Sequence, residues 1–121
     1  MVAYFSEVKF QVLGVDEGPV VTASCACQMA EGVQRLLQSN AALAVTGVGG
    51  PDPEEDKPPG TVFIATAVRG ELHVGEHAFT GDPDEILSQT VAAALSQTVR
   101  ELRRATSVIS GTELGRRGEC G

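Results

Sequence analysis

The chain has no tryptophan, and aromatic residues make up only 4% of its 121 positions. Its core must therefore be built from Val, Leu, Ile and Ala. Long apolar runs are missing too. None approaches the ~20 residues that span a bilayer, and the N-terminus lacks the basic start and apolar stretch of a signal peptide. The expectation is a cytoplasmic protein with no membrane partner. Basic residues are few: 9 Lys and Arg stand against 16 Asp and Glu, for a net charge of −7. A nucleic-acid partner is excluded on this ground, because phosphate binding needs a basic stripe. A small anionic ligand is not excluded, since backbone N–H groups and one or two local cations can hold it. The three cysteines, Cys25, Cys27 and Cys120, form an odd set without framework spacing. That argues against disulfide stapling.

What remains is an ordinary globular composition, with 42% hydrophobic residues in 121, enough for one domain with a modest core. Met1 to Leu13 reads two ways. Val8, Phe10 and Val12 alternate with Lys9 and Gln11 as in a strand. Alternatively, Ser6 caps a short helix that Gly14 ends. Thr22 to Gln38 reads as a helix capped by Thr22, with Ala26, Met29, Val33, Leu36 and Leu37 on one face. Ala42 to Val45 is a short apolar strand of the buried kind.

Gly47 to Pro59 is a loop carrying Asp52, Glu54, Glu55, Asp56 and Lys57. Thr61 to Val68 is a strand, Arg69-Gly70 a tight turn, and Glu71 to Phe79 the returning arm of a hairpin. Asp82-Pro83-Asp84-Glu85 opens a second helix, with Asp82 as cap and Glu85 three residues later. It is expected to run to Arg104, with Leu87, Val91, Leu95, Val99 and Leu102 as its apolar stripe. Residues 105–121 lack apolar periodicity and read as a flexible polar tail. The class is α/β, a mixed sheet packed by helices, over a domain at residues 1–104.

Chemistry-bearing residues are sparse. His73, Glu76 and His77 have the i, i+4 spacing of a zinc helix, but they lie in a strand, where that spacing spans roughly 13 Å. No metal site is expected there. Cys25 and Cys27, two apart in a helix, do not converge on one point. The acidic run Asp52 to Asp56 matches no calcium loop and reads as solvated. Thr46-Gly47-Val48-Gly49-Gly50 directly follows a strand, where a Gly-rich turn lets the backbone approach an anion.

Thr46-Gly47-Val48-Gly49-Gly50-Pro51, then Lys57-Pro58, then Gly60-Thr61-Val62 resembles the signature of the CinA C-terminal domain family. These are nicotinamide mononucleotide deamidases, which occur alone or behind a molybdopterin-binding-like domain. Tyr4-Phe5-Ser6-Glu7-Val8-Lys9 is similar to the family's Tyr-Ser-Asn-Glu-Ala-Lys segment, with the same offset from Tyr to Lys. Met29-Ala30 fits the family's Ser-capped helix, and Phe79, Gly81 and Asp82 fit its Phe-x-Gly-Asp. The resemblance favours a helix after Ser6 and covers about residues 2 to 103.

The resemblance implies amide hydrolysis in pyridine nucleotide salvage: nicotinamide mononucleotide and water give nicotinate mononucleotide and ammonia. A serine attacks the carboxamide, a lysine acts as general base and a tyrosine assists. Tyr4 and Lys9 take the last two roles here. Such a lysine must be desolvated or set near another cation to act as a base at neutral pH. Thr46, Gly47, Gly49, Gly50 and Thr61 would cradle the nucleotide, with no metal and no cofactor.

The family's nucleophile lies in a Glu-Ser-Cys-Thr-Gly-Gly segment upstream of the tyrosine, which the 121 residues do not contain. Ala23-Ser24-Cys25 is a faint echo of it, placed after Lys9. Pro83 and Leu87 stand where the family carries arginines. The expectation is thus a truncated CinA-like domain, either an amidohydrolase or an inactive nucleotide-binding or oligomerisation module. Its expected partners are a small nucleotide and a second copy, or another chain, covering the truncated edge.

Overall fold

The computed structural model describes Met1, Ala3 and residues 6–109, the last three by backbone only. Its elements in order are a short π-helix Val8–Val12, α1 (Ala23–Leu37), β1 (Ala41–Gly47), β2 (Thr61–Val68), β3 (Glu71–Ala78) and α2 (Pro83–Ile109). The sheet runs β1-β2-β3 and every pairing is antiparallel. The α/β class is as expected, but among the described residues the sheet is antiparallel rather than mixed.

β2 is central because both its faces are apolar and both its edges are paired. All eight of its residues are buried. Phe63, Ala65 and Ala67 face α1, while Val62 and Ile64 face α2. Arg69 and Gly70, with φ of 52° and 84°, close the β2–β3 hairpin as a two-residue turn with both φ positive. β1 differs from its expectation as a buried strand. It lies at the edge of the described sheet, with Leu43 37% and Val45 38% exposed.

The segment after Ser6 is helical, as the resemblance favoured, although Ser6 lies inside the helical turn rather than capping it. α1 begins as predicted: the Thr22 hydroxyl accepts the Cys25 N–H at 3.0 Å. Its buried face holds Ala26, Met29 and Ala30, whereas Leu36 and Leu37 are exposed. Gly32 lets α1 lie directly on the end of the π-helix, since a Cβ there would stand 2.0 Å from the Leu13 carbonyl oxygen. Cys25 is free and buried. Cys27 is disulfide-bonded, so the odd cysteine count did not exclude a disulfide.

α2 starts with the reciprocal cap its sequence predicts. Glu85 N–H donates to Asp82 Oδ1 at 2.9 Å, and Asp82 N–H donates to Glu85 Oε1 at 3.0 Å. The expected apolar stripe does not pack on the sheet. Leu87, Val91, Leu95, Val99 and Leu102 are 61%, 50%, 59%, 45% and 43% exposed. The face on the sheet is instead Ile86, Ala94, Gln97 and Glu101. There Gln97 Nε2 donates to Ile64 O at 3.0 Å, and Glu101 accepts from Arg104 at 3.0 Å. Small and hydrogen-bonded side chains allow a close approach that Leu and Val would prevent. Residues 105–109 of the expected tail are helical, and residues 110–121 lie outside the described residues. Among the described residues no helix is long and apolar enough to cross a membrane.

Candidate functional site

Beside the open side of β1 lies a cavity of about 1110 Å³. The first helical turn contributes Ser6 and Lys9 to its wall, α1 contributes Met29 and Val33, and β1 contributes Leu43 to Gly47. Glu54, Glu55 and Leu87 are among the other residues that line it.

The helical turn aims Lys9 inward, where its side chain is buried at 8% exposure and Nζ donates to Ala3 O at 3.0 Å. Thr46 is also buried, and its hydroxyl donates to Val20 O at 2.7 Å. This bond ties the end of β1 to the segment leading into α1. The structure therefore brings Lys9, Thr46 and Gly47 to one wall. Gly49, Gly50 and Thr61 are not on that wall. Tyr4 lies outside the described residues.

The Gly-rich turn is held from both ends. Val48 N–H donates to Thr61 O at 2.9 Å, and Gly60 N–H donates to Val48 O at 2.8 Å. Only glycine fits position 60, where φ is +94° and a Cβ would lie 1.9 Å from Phe79 O. The Thr61 hydroxyl donates to Pro58 O at 2.8 Å, which fixes the loop's return into β2. Among the described residues the N–H groups of Gly49 and Gly50 donate to no protein acceptor, so they remain available to an anion.

The acidic run is exposed, as expected, yet it is ordered as a tight turn. Glu54 and Lys57 exchange two backbone hydrogen bonds at 3.1 and 2.8 Å, and Glu55 and Asp56 take φ of 50° and 60° between them. This tight turn carries the Glu55 carboxylate back to accept from Val20 N–H at 3.0 Å and from Val21 N–H at 2.8 Å. Desolvation pushes that carboxyl up, but the two backbone donors, then Lys57 and Lys9, outweigh it and hold it below its ordinary value. Sequence reasoning missed this latch, because non-glycine residues at positive φ leave no propensity signal. It also missed Ser6, whose three-residue spacing from Lys9 on a helical turn was the available clue.

Other nucleophile candidates fare differently. Ser24 is exposed on α1 and is not on the cavity wall. Cys25 is 2% exposed, and burial pushes its thiol up, with Lys9 pulling down and Glu55 pushing up again. A buried, protonated thiol is a poor nucleophile. His73 and His77 lie on β3. His77 stacks on Phe79 with ring centroids 5.0 Å apart, and His73 Nε2 is 3.3 Å from Arg100.

An antiparallel sheet layered by helices, with a buried lysine beside a strand-to-glycine-turn junction, defines an α/β domain with an open cleft at one sheet edge. The model of the CinA C-terminal domain matches residues 1–102, and the chain belongs to that family. It is 40% identical over 111 residues to a CinA-like protein of Geobacter sulfurreducens, covering 87% of this chain and 27% of that protein. It is 39% identical over 107 residues to a CinA-like protein of Frankia casuarinae, covering 84% and 25%. The chain thus spans about a quarter of the length of these curated relatives. A solved CinA superfamily protein of Klebsiella pneumoniae superposes with a TM-score of 0.81 at 30% identity, covering 85% of this chain and 68% of that one. The competence/damage inducible protein CihA of Agrobacterium tumefaciens gives 0.76 at 33% identity, covering 82% and 65%.

Proposed function

We propose that this chain carries the general base and part of the substrate cradle of a nicotinamide-nucleotide amidohydrolase. The observation that carries the reading is the shared cavity wall of buried Lys9 and the Thr46-Gly47 end of β1. In the reaction an attacking hydroxyl adds to the carboxamide carbon, and the C–N bond breaks. Water then releases the nicotinate nucleotide, and ammonia leaves. Lys9 Nζ takes the proton of the attacking hydroxyl and returns it to the departing nitrogen. Tyr4, five residues before Lys9, assists. The cavity takes the nicotinamide ring, while the N–H groups of Gly49 and Gly50 meet the phosphate.

A second reading, nucleotide binding without turnover, is favoured by Ser24, the echo of the family's nucleophile segment, which is off the wall. Ammonia release from nicotinamide mononucleotide, followed by a coupled assay, separates the two. Turnover that falls about 10²- to 10⁴-fold in Lys9→Met supports the amidohydrolase. Calorimetric binding with no ammonia supports the second reading, and the absence of both binding and turnover removes each.

A further inference from the structure

We propose that Ser6 supplies the attacking hydroxyl of this site, paired with Lys9 as a serine–lysine dyad on one helical turn. The substrate, a carboxamide, rests on the amidohydrolase reading above; the chemistry of the dyad does not. Among the described residues, the alcohol side chains on the cavity wall are those of Ser6 and Thr46. Thr46 is buried and its hydroxyl donates to Val20 O at 2.7 Å, so its proton is already engaged. Ser6 is exposed on the wall, and its hydroxyl has no hydrogen-bond partner among the described residues. Ser24 and the buried Cys25 are not on that wall.

Lys9 follows Ser6 by three residues, and side chains on a helix lean back toward its N-terminus. The Lys9 arm takes that direction, because Nζ donates to Ala3 O at 3.0 Å, six residues back. Ser6 thus lies in sequence between the root of the arm and its tip, and both side chains line one cavity. This juxtaposition is set by local chain geometry and holds whatever else packs against the cavity. Lysine is seldom buried without a carboxylate partner. Lys9 is 8% exposed and makes no ion pair among the described residues. A serine three residues before a lysine on a helical turn is a known way to activate an acyl-transfer serine without histidine. Here Ser6 Oγ bonds to the carboxamide carbon while Lys9 Nζ takes the hydroxyl proton. The C–N bond breaks, that proton leaves with the nitrogen as ammonia, and an ester remains on Ser6. Water then adds to the ester carbon and gives a proton to Nζ. The bond from that carbon to Oγ breaks, Oγ recovers the proton, and the carboxylic acid departs.

A tagged fluorophosphonate tests the dyad without any nucleotide, since an activated serine forms an Oγ–P bond with it as fluoride leaves. The expected result is a single adduct by intact-mass spectrometry, mapped to Ser6 by peptide sequencing. Ser6→Ala, at an exposed position where folding is confirmed by circular dichroism, should abolish it. Lys9→Met should slow the labelling about 10²- to 10⁴-fold. Lys9→Arg, which keeps the charge and most of the bulk but holds its proton, should slow it as much. Ammonia release from nicotinamide mononucleotide should fall about 10³-fold or more in Ser6→Ala. A Lys9-dependent adduct on Ser6 with no ammonia release upholds the dyad and counts against that nucleotide as its substrate. Ammonia release that survives Ser6→Ala but is lost in Lys9→Met overturns the dyad and leaves the amidohydrolase reading standing. No adduct, an adduct on another residue, or an unchanged labelling rate in Lys9→Arg would each overturn the proposal as well.

Discussion

Glu55 sits at a φ of 50° in a tight turn and sends its carboxylate to two backbone N–H groups of the segment before α1. The positive φ is a conformational cost that the charge-assisted bonds offset. Their strength depends on ionisation. The folded carboxyl is held below its ordinary value, so on acidification the unfolded chain takes up this proton first. The latch therefore contributes fully above the ordinary pKa of 4.5 and is lost as pH falls through the lower, folded value. Glu55→Gln should lower stability by about 1 kcal/mol near neutral pH, an amount discounted for the exposure of the group. It should also flatten the loss of stability below about pH 4.5, read from urea midpoints between pH 3 and 7. A mutant curve parallel to that of the parent would contradict the latch. The identity of Glu55 was plain in the sequence, but its role was not, because the role depends on a contact with residues 34 and 35 positions earlier.

Among elements, α1 and α2 show what periodicity reveals and what it leaves open. Both helices and both N-terminal caps were legible, because capping is local chemistry within three residues. The hairpin was legible because Arg69-Gly70 sits between two apolar strands. Which face of α2 meets the sheet was not legible. Periodicity finds an apolar stripe without naming its partner, and here the stripe points away from the sheet. Two substitutions separate these roles. Ile86→Ala, at a site 3% exposed, should cost about 2–5 kcal/mol, and Leu87→Ala, at a site 61% exposed, less than about 1 kcal/mol. Comparable losses would mean that α2 is rotated from the position described. Gly32→Ala gives a sharper test of packing. Helix propensity alone predicts a gain of about 1 kcal/mol, but the methyl would meet the Leu13 carbonyl oxygen at 2.0 Å. The expected result is a net loss of roughly 2–4 kcal/mol by chemical denaturation, as the helix moves off the Leu13 backbone.

At the scale of the whole molecule, two layers of helix enclose one sheet, and the cleft opens where the layers leave β1 uncovered. The family was legible from the glycine turn and the Lys57-to-Thr61 return, because those residues are fixed by backbone geometry. The shared wall of Lys9 and Thr46-Gly47 could not be read from the chain alone. It forms only when the helical turn, α1 and β1 assemble. Of the cradle residues, Gly47 lies on the wall and Gly49 does not.

Among the described residues, β2 alone is bonded on both edges and covered on both faces. Its amides cannot meet solvent through any small opening of a loop or a helix end. Deuterium uptake at Ile64 and Thr66 should accordingly be the slowest in the chain and should track the full unfolding free energy. This strand would therefore serve as an internal gauge of how far any ligand at the cleft tightens the entire molecule.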